Sequence, residues 1–125
     1  MIKKLDKDCF SFMLTDMKII KELEDLQGEM QEWRRDIHAH PEIAFEEHRT
    51  AQIVADKLES FGIEVETGIA GTGVVGTLRK GMGNRSIGLR ADLDALLINE
   101  TNDFEYKSKT PGQMHACGHD GHTTM

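Results

Sequence analysis

The residues best suited to chemistry lie in a short segment, residues 114–123, where only Gly118 separates Cys117 from His119. In an extended backbone, side chains two residues apart point to the same side. A thiolate and an imidazole placed in this way can bind one zinc-like divalent metal. Two further histidines flank the pair. Because a catalytic zinc takes at least three protein ligands and an open position, other ligands must come from elsewhere.

The Cys–His pair also has a purely structural interpretation. Cys117 would then be a buried thiol, and His119 a core histidine whose ring is hydrogen-bonded.

Two carboxylates, Asp92 and Asp94, follow a run of alternating apolar residues that predicts a strand over residues 86–92. Ligands of open α/β sheets bind at the carboxyl ends of strands. Either aspartate could therefore orient a metal-bound imidazole through a hydrogen bond. The alternative is a helix cap or a solvent-exposed turn. We expect Cys117 and His119 to lie on one side of an extended segment near this strand end.

A second pair of histidines, His38 and His40, lies just before Pro41. As ligands they would form another metal site. Alternatively, they are cationic groups at a helix C-terminus, where the helix dipole favours positive charge. No cysteine or carboxylate pattern accompanies the pair, which favours the second interpretation.

The spacing of apolar residues predicts the elements that position these side chains. A period of 3.6 predicts helices near residues 17–38 and 46–60, with Gly62 just after the end of the second. After Gly62 the period changes to 2, which predicts strands near residues 63–67, 73–79 and 86–92. The second and third strands are expected to form a hairpin.

The composition is that of an ordinary globular domain, with 125 residues, 38% hydrophobic and 30% charged. A net charge of −7 argues against a nucleic-acid partner, since phosphate binding needs a basic face. Cys9 and Cys117 are too few and too far apart for a disulfide framework. No signal peptide or membrane span is evident, so we expect a cytoplasmic protein. Residues 1–16 have no clear period and are expected to be a disordered extension.

Four motifs follow one another along the chain: Arg34-Arg35-Asp36-Ile37-His38 to Pro41-Glu42, Gly73-Val74-Val75-Gly76, Arg90-Ala91-Asp92-Leu93-Asp94-Ala95-Leu96, and His115-Ala116-Cys117-Gly118-His119-Asp120-Gly121-His122. In this order they resemble the N-terminal part of M20-type amidohydrolases. The branch most similar to them contains hippurate hydrolases, N-acyl-amino-acid amidohydrolases and plant auxin-conjugate hydrolases. The resemblance extends from about residue 30 to the end of the sequence, and its last motif is the most specific.

The resemblance implies an enzyme with two divalent metal ions, zinc or manganese, that cleaves linear amides between an acyl group and an amino acid. Its fold would be a mixed α/β sheet with helices on both faces. Residues 17–125 would be an incomplete N-terminal part of this catalytic domain, without the lid domain. By the same resemblance, Cys117 bridges both metals and His119 ligates one of them. Asp94, or less well Asp92, matches the aspartate that supports the site.

The resemblance also implies what lies outside this chain. The general-base glutamate and the remaining ligands would come later in a full-length protein, a homodimer acting on small N-acyl-amino-acid substrates. One departure is Leu97, where these proteins usually have proline. Because the general base and the remaining ligands lie outside this chain, we expect a fragment that is inactive alone. The alternative is a complete, non-enzymatic metal-binding or thiol-sensing module.

Overall fold

The computed structural model describes residues 20–125, which have a mixed α/β architecture. The elements in chain order are α1 (Lys21–Ala39), α2 (His48–Ser60), β1 (Glu64–Ile69), β2 (Gly73–Thr77) and α3 (His119–Thr124). The predicted α/β class is confirmed. The extension expected over residues 1–16 lies outside the described residues. Within residues 20–125, no helix combines the length and apolarity needed to cross a membrane.

Helix α1 carries the apolar stripe that predicted it, but only its C-terminal end is buried. Ile37, His38 and Ala39 are buried, whereas Leu23 near the start is 51% exposed. The helix ends at Ala39, directly before His40, as expected because the following proline disfavours a helical conformation at His40. The buried end of α1 is therefore the part that contacts the rest of the described chain.

Helix α2 begins at His48, two residues later than predicted, and its N-terminus is capped from outside the helix. The Glu42 carboxylate accepts hydrogen bonds from the main-chain N–H of Arg49 at 2.9 Å and of Thr50 at 2.7 Å. It also accepts one from the Thr50 hydroxyl at 2.8 Å. Glu42 thus satisfies two of the unpaired N–H groups that every helix start presents.

The C-terminus of α2 ends as its glycine predicts. Gly62 has a φ of +73°, and its N–H donates to the Glu59 carbonyl at 2.8 Å. The next N–H, of Ile63, donates back to the Leu58 carbonyl at 3.1 Å. This pair of bonds is a Schellman motif, which confirms Gly62 as the residue that ends the helix.

The hairpin joins β1 and β2, so the prediction that the second and third strands pair is wrong. The two strands are antiparallel, with Glu64 opposite Thr77. The connection turns through Ala70 and Gly71, both with positive φ. The two strands approach closely where β2 begins. A Cβ atom on Gly73 would lie 2.5 Å from the Ile69 carbonyl oxygen, so this position has room only for glycine. This turn allows β1 to pair with β2, the strand that follows it in sequence.

The strand predicted over residues 86–92 is absent from the described part of the chain. Ile87 and Leu89, which carry its alternation, are 87% and 92% exposed. Alternation predicts which side chains share a face, but a strand also needs a neighbouring backbone to receive its hydrogen bonds. Within residues 20–125 no such neighbour lies beside this segment, and it stays unpaired.

Two isolated bridges just after this segment hold the candidate site residues together. The N–H of Ala95 donates to the Glu42 carbonyl at 2.7 Å, beside the end of α1. Leu96 and Met114 exchange reciprocal main-chain hydrogen bonds of 3.0 Å. Because Asp94 directly precedes the first bridge and the Cys–His segment directly follows the second, these contacts bring the two motifs together.

Candidate metal centre

The Cys–His segment forms a turn and a helix start, so the expectation of an extended segment is wrong. Cys117 lies in the turn, and α3 begins at His119. Gly118 between them has a φ of +79°, in the left-handed region that glycine adopts without steric cost. Gly118 therefore changes the direction of the backbone between Cys117 and His119.

His119 is held by Asp94 through one ring nitrogen. Its Nδ1 atom lies 2.8 Å from the Asp94 main-chain oxygen and 3.1 Å from the Asp94 carboxylate. Both partners are acceptors, so Nδ1 carries the proton and donates it. The other nitrogen, Nε2, then has a free lone pair, which is the state a metal-binding imidazole needs.

Asp92 has different partners from Asp94. Its carboxylate forms an ion pair with Arg90, and its main-chain oxygen accepts a hydrogen bond from the Thr123 hydroxyl at 3.1 Å. Of the two aspartates that the sequence left as alternatives, Asp94 is therefore the one that contacts His119. Asp92 instead connects the preceding segment to α3.

The thiol of Cys117 is free and exposed. This excludes the interpretation of Cys117 as a buried core thiol. His119 is partly buried, with 16% of its side chain exposed, and it lies two residues away on the same turn. Cys117 thus presents an accessible sulfur, and the orientation of the His119 ring is fixed by its contacts with Asp94.

The donor chemistry of this pair fits part of a divalent-metal centre. A thiolate and a neutral imidazole are ligands that zinc accepts, and the Asp94 contact is the usual outer partner of a ligating histidine. No group of three or more His, Cys, Asp and Glu side chains placed to hold a metal occurs within residues 20–125. Among the described residues, the candidate centre is therefore limited to Cys117, His119 and the groups that contact them.

The two flanking histidines lie in unlike surroundings. His122 is exposed, with its ring centroid 6.1 Å from that of His119. His115 is 4% exposed, and neither ring nitrogen has a hydrogen-bond partner among the described residues. Burial lowers the pKa of His115, and the nearby His38 and His119 rings act in the same direction, against the Asp120 carboxylate. His115 thus lies buried two residues before Cys117, whereas His122 lies at the surface.

His38 and His40 do not act as a pair. The Nδ1 atom of His40 lies 2.8 Å from the Asp36 carbonyl, one turn back, which fits a role at the helix C-terminus. His38 is buried and contacts two carboxylates from distant parts of the chain. Its Nδ1 lies 2.8 Å from Asp120 and its Nε2 lies 3.1 Å from Glu100. The helix-terminus interpretation is therefore supported for His40 only.

The sequence did not predict this buried network, which also includes Arg34. The Nε atom of Arg34 donates to Asp120 at 3.1 Å, and the side chain of Asp120 is fully buried. One signal was present, because Arg34 and His38 are four residues apart and share a helix face. Their partners lie more than 60 residues away in sequence. The spacing of residues within one helix does not predict contacts with such distant segments.

The chain is similar in sequence to several known proteins. Residues 88–125 match the family model described as Peptidase family M20/M25/M40. The chain is 55% identical over 108 residues to a hippurate hydrolase of Campylobacter jejuni, covering 86% of this chain and 28% of that protein. It is 45% identical over 112 residues to an N-acyl-L-amino acid amidohydrolase of Geobacillus stearothermophilus, covering 90% of this chain and 30% of that protein.

A solved structure gives the same assignment. The YXEP protein of Bacillus subtilis, described as a dinuclear metal binding peptidase from the M20 family, superposes with a TM-score of 0.76 at 37% sequence identity. The match covers 81% of this chain and 29% of that protein. The described residues are therefore similar to part of the α/β fold of these M20 proteins. The chain resembles the M20 peptidase family, as its motifs predicted, and spans less than a third of the length of these relatives.

Proposed function

We propose that this chain is part of a metal-dependent amidohydrolase that cleaves the amide bond of N-acyl-amino acids. The observation that carries the proposal is the contact of His119 Nδ1 with Asp94, beside the exposed thiol of Cys117. Relatives named hippurate hydrolase and N-acyl-L-amino acid amidohydrolase support this substrate class.

The proposed centre holds two divalent metal ions, which we propose to be zinc or manganese. The dinuclear description of the related Bacillus subtilis protein supports the number of ions. Cys117 would bridge the two ions and His119 would ligate one of them. When bound, the ions polarise the amide carbonyl and lower the pKa of a water molecule. Residues 17–125 would be an incomplete part of the catalytic domain, with the other ligands and the general base supplied outside this chain.

The residues of this chain prepare the centre. Asp94 keeps the proton of His119 on Nδ1, so that Nε2 presents its lone pair. Cys117 must lose its thiol proton to bind metal, and its exposure allows that proton to pass to solvent. Gly118 sets the turn between the two donors. The complete protein is proposed to be a cytoplasmic homodimer.

The proposal is tested by assaying release of free amino acid from several N-acyl-amino acids, with zinc or manganese added. A protein of full family length that contains this chain should turn over, and its Cys117→Ala variant should not. The 125-residue chain alone should show no turnover, because it provides only part of a ligand set. Steady turnover by the chain alone, abolished in Cys117→Ala, would show that it is a sufficient enzyme.

A second candidate is a non-enzymatic metal-binding or thiol-sensing module, which the exposed free thiol of Cys117 favours. The two candidates differ in what oxidation should do. A sensor should change its conformation when Cys117 is oxidised by peroxide, in the absence of any substrate. An enzyme centre should lose metal on the same treatment and regain it after reduction, with the fold unchanged by circular dichroism.

A further inference from the structure

Helix α3 does not fix its own position. It has six residues, and no side chain caps its N-terminus. Its first residue follows directly on Gly118, whose φ is +79°, so a left-handed turn sets the start of the helix. The geometry of the turn between Cys117 and His119 must therefore depend on contacts from other elements.

Asp120 provides the most buried of these contacts. It follows His119 directly, and none of its side chain is exposed. One carboxylate oxygen, Oδ2, accepts from Arg34 Nε at 3.1 Å and contacts His38 Nδ1 at 2.8 Å. Because the Arg34 side chain is 47% exposed, its contribution is weakened by solvent. The enclosed partner of Asp120 is His38.

His38 bridges two carboxylates. Its second nitrogen, Nε2, lies 3.1 Å from Glu100 Oε1, and both side chains are nearly inaccessible, at 5% and 3% exposed. Each ring nitrogen is therefore paired with a carboxylate oxygen, and a buried polar ring needs such a partner at both nitrogens.

The far end of this bridge is anchored as well. Glu100 accepts hydrogen bonds from the Ser108 main-chain N–H at 2.6 Å and from the Asn102 side chain at 3.0 Å. The rings of Phe104 and Tyr106 lie 5.7 and 5.8 Å from the His38 ring and shield it from solvent. Loop 99–113, helix α1 and helix α3 therefore meet at one imidazole.

We propose that His38 is a positioning residue for the metal centre: its ring, held between Glu100 and Asp120, fixes the start of α3 and so the placement of His119 relative to Cys117. The proposal rests on the function proposed above, since it requires Cys117 and His119 to bind metal. It assigns His38 no contact with metal or substrate. It differs from the support given by Asp94, which acts on the His119 ring directly.

The test uses the intact protein that carries this chain, loaded with cobalt(II), and compares His38→Gln with His40→Gln. Three quantities are measured: cobalt affinity against a competing chelator, the ligand-field and thiolate-to-cobalt absorption bands, and the melting temperature without metal. We expect His38→Gln to weaken cobalt binding by about ten-fold or more and to alter the ligand-field bands. His40→Gln, which changes a histidine on the same helix end, should leave affinity and bands unchanged.

A second variant guards against a failure to fold. Glu100→Gln keeps the His38–Asp120 contact and the shape of the site, and should give a smaller loss of affinity with the same spectral change. A lower melting temperature with unchanged affinity and bands in both variants would mean a purely structural role and would overturn the proposal. If the unmodified protein shows no thiolate-to-cobalt band, Cys117 is not a ligand and the proposed function fails first, taking this inference with it.

Discussion

His119 contacts Asp94 twice through a single nitrogen, at 2.8 Å to the main-chain oxygen and at 3.1 Å to the carboxylate. The main-chain contact fixes the tautomer whatever side chain stands at position 94. The carboxylate adds negative charge behind the ring and makes the free nitrogen a stronger electron donor. Substitution of Asp94 therefore removes the negative charge but keeps the main-chain contact that orients the ring, so it measures the contribution of the charge alone.

Asp94→Ala should weaken zinc binding by about ten-fold, the lower end of the range for loss of an outer carboxylate partner. The main-chain acceptor remains, so binding should not be abolished. Asp92→Ala is the matched control, because its carboxylate pairs with Arg90 rather than with His119. Competition with a chromophoric chelator measures both affinities. Equal losses in the two variants would contradict the role given to Asp94.

Metal should protect Cys117 from alkylation. The thiol is free and exposed, so it should react readily with iodoacetamide when no metal is present. Mass spectrometry of the peptide that contains Cys117 follows its modification. Zinc at saturating concentration should slow the reaction strongly, while magnesium, which prefers oxygen ligands, should not. An unchanged rate with zinc would remove Cys117 from the ligand set.

Glu100 should make stability depend on pH in the acid range. Burial alone would raise the pKa of Glu100, but hydrogen bonds from Ser108, Asn102 and His38 outweigh it and hold the pKa below its ordinary range. A carboxylate with a lowered folded-state pKa stabilises the protein above its unfolded pKa of about 4.3. This stabilisation is lost as the pH falls through the folded-state pKa.

Accordingly, Glu100→Gln should reduce the free energy of unfolding by about 2 kcal/mol at pH 7, as expected for a hydrogen bond to a charged group. The difference from the unmodified protein should shrink as the pH falls below about 4. Urea titrations at several pH values measure it. Glu105→Gln, at an exposed position in the same loop, is the control and should cost little at any pH. A difference independent of pH would rule out the charge of Glu100 as its cause.

Glu42 should contribute to stability as a cap of α2. Glu42→Ala removes the acceptor for two main-chain N–H groups and for the Thr50 hydroxyl. We expect a loss of about 1–2 kcal/mol, typical of removing a helix cap. Glu46→Ala changes an exposed glutamate in the same connection and should have a much smaller effect. Denaturant midpoints of the two variants decide between these outcomes.

The sequence predicted elements whose signals are local. The 3.6 period located α1 and α2, and Gly62 marked the end of α2 because its positive φ is needed there. The hairpin was misassigned because alternation in residues 86–92 does not identify which backbone lies beside it. The turn at Gly118 was missed because the spacing of Cys117 and His119 fits an extended backbone equally well.

The candidate site shows the same division. Cys117 and His119 could be selected from residue type and spacing, which left Asp92 and Asp94 as alternatives, and the structure brings His119 and Asp94 into contact. The role of Asp120 could not be predicted, because its partner His38 lies 82 residues away and is defined only by burial. Buried polar contacts between distant segments depend on how helices and loops pack together. The spacing of apolar residues along one segment does not predict that packing.

The unpaired stretch between β2 and Ala95 has a consequence for limited proteolysis. Four exposed trypsin sites lie in it: Arg79, Lys80, Arg85 and Arg90. Cleavage there would put His38 on one peptide and both Cys117 and Asp120 on the other. The nicked protein would remain one particle only through non-covalent contacts, chiefly the buried bridge from His38 and the short backbone pairing at Ala95. Native gels should show a single band that still takes up zinc, and mild denaturant should split it into two peptides with the metal released.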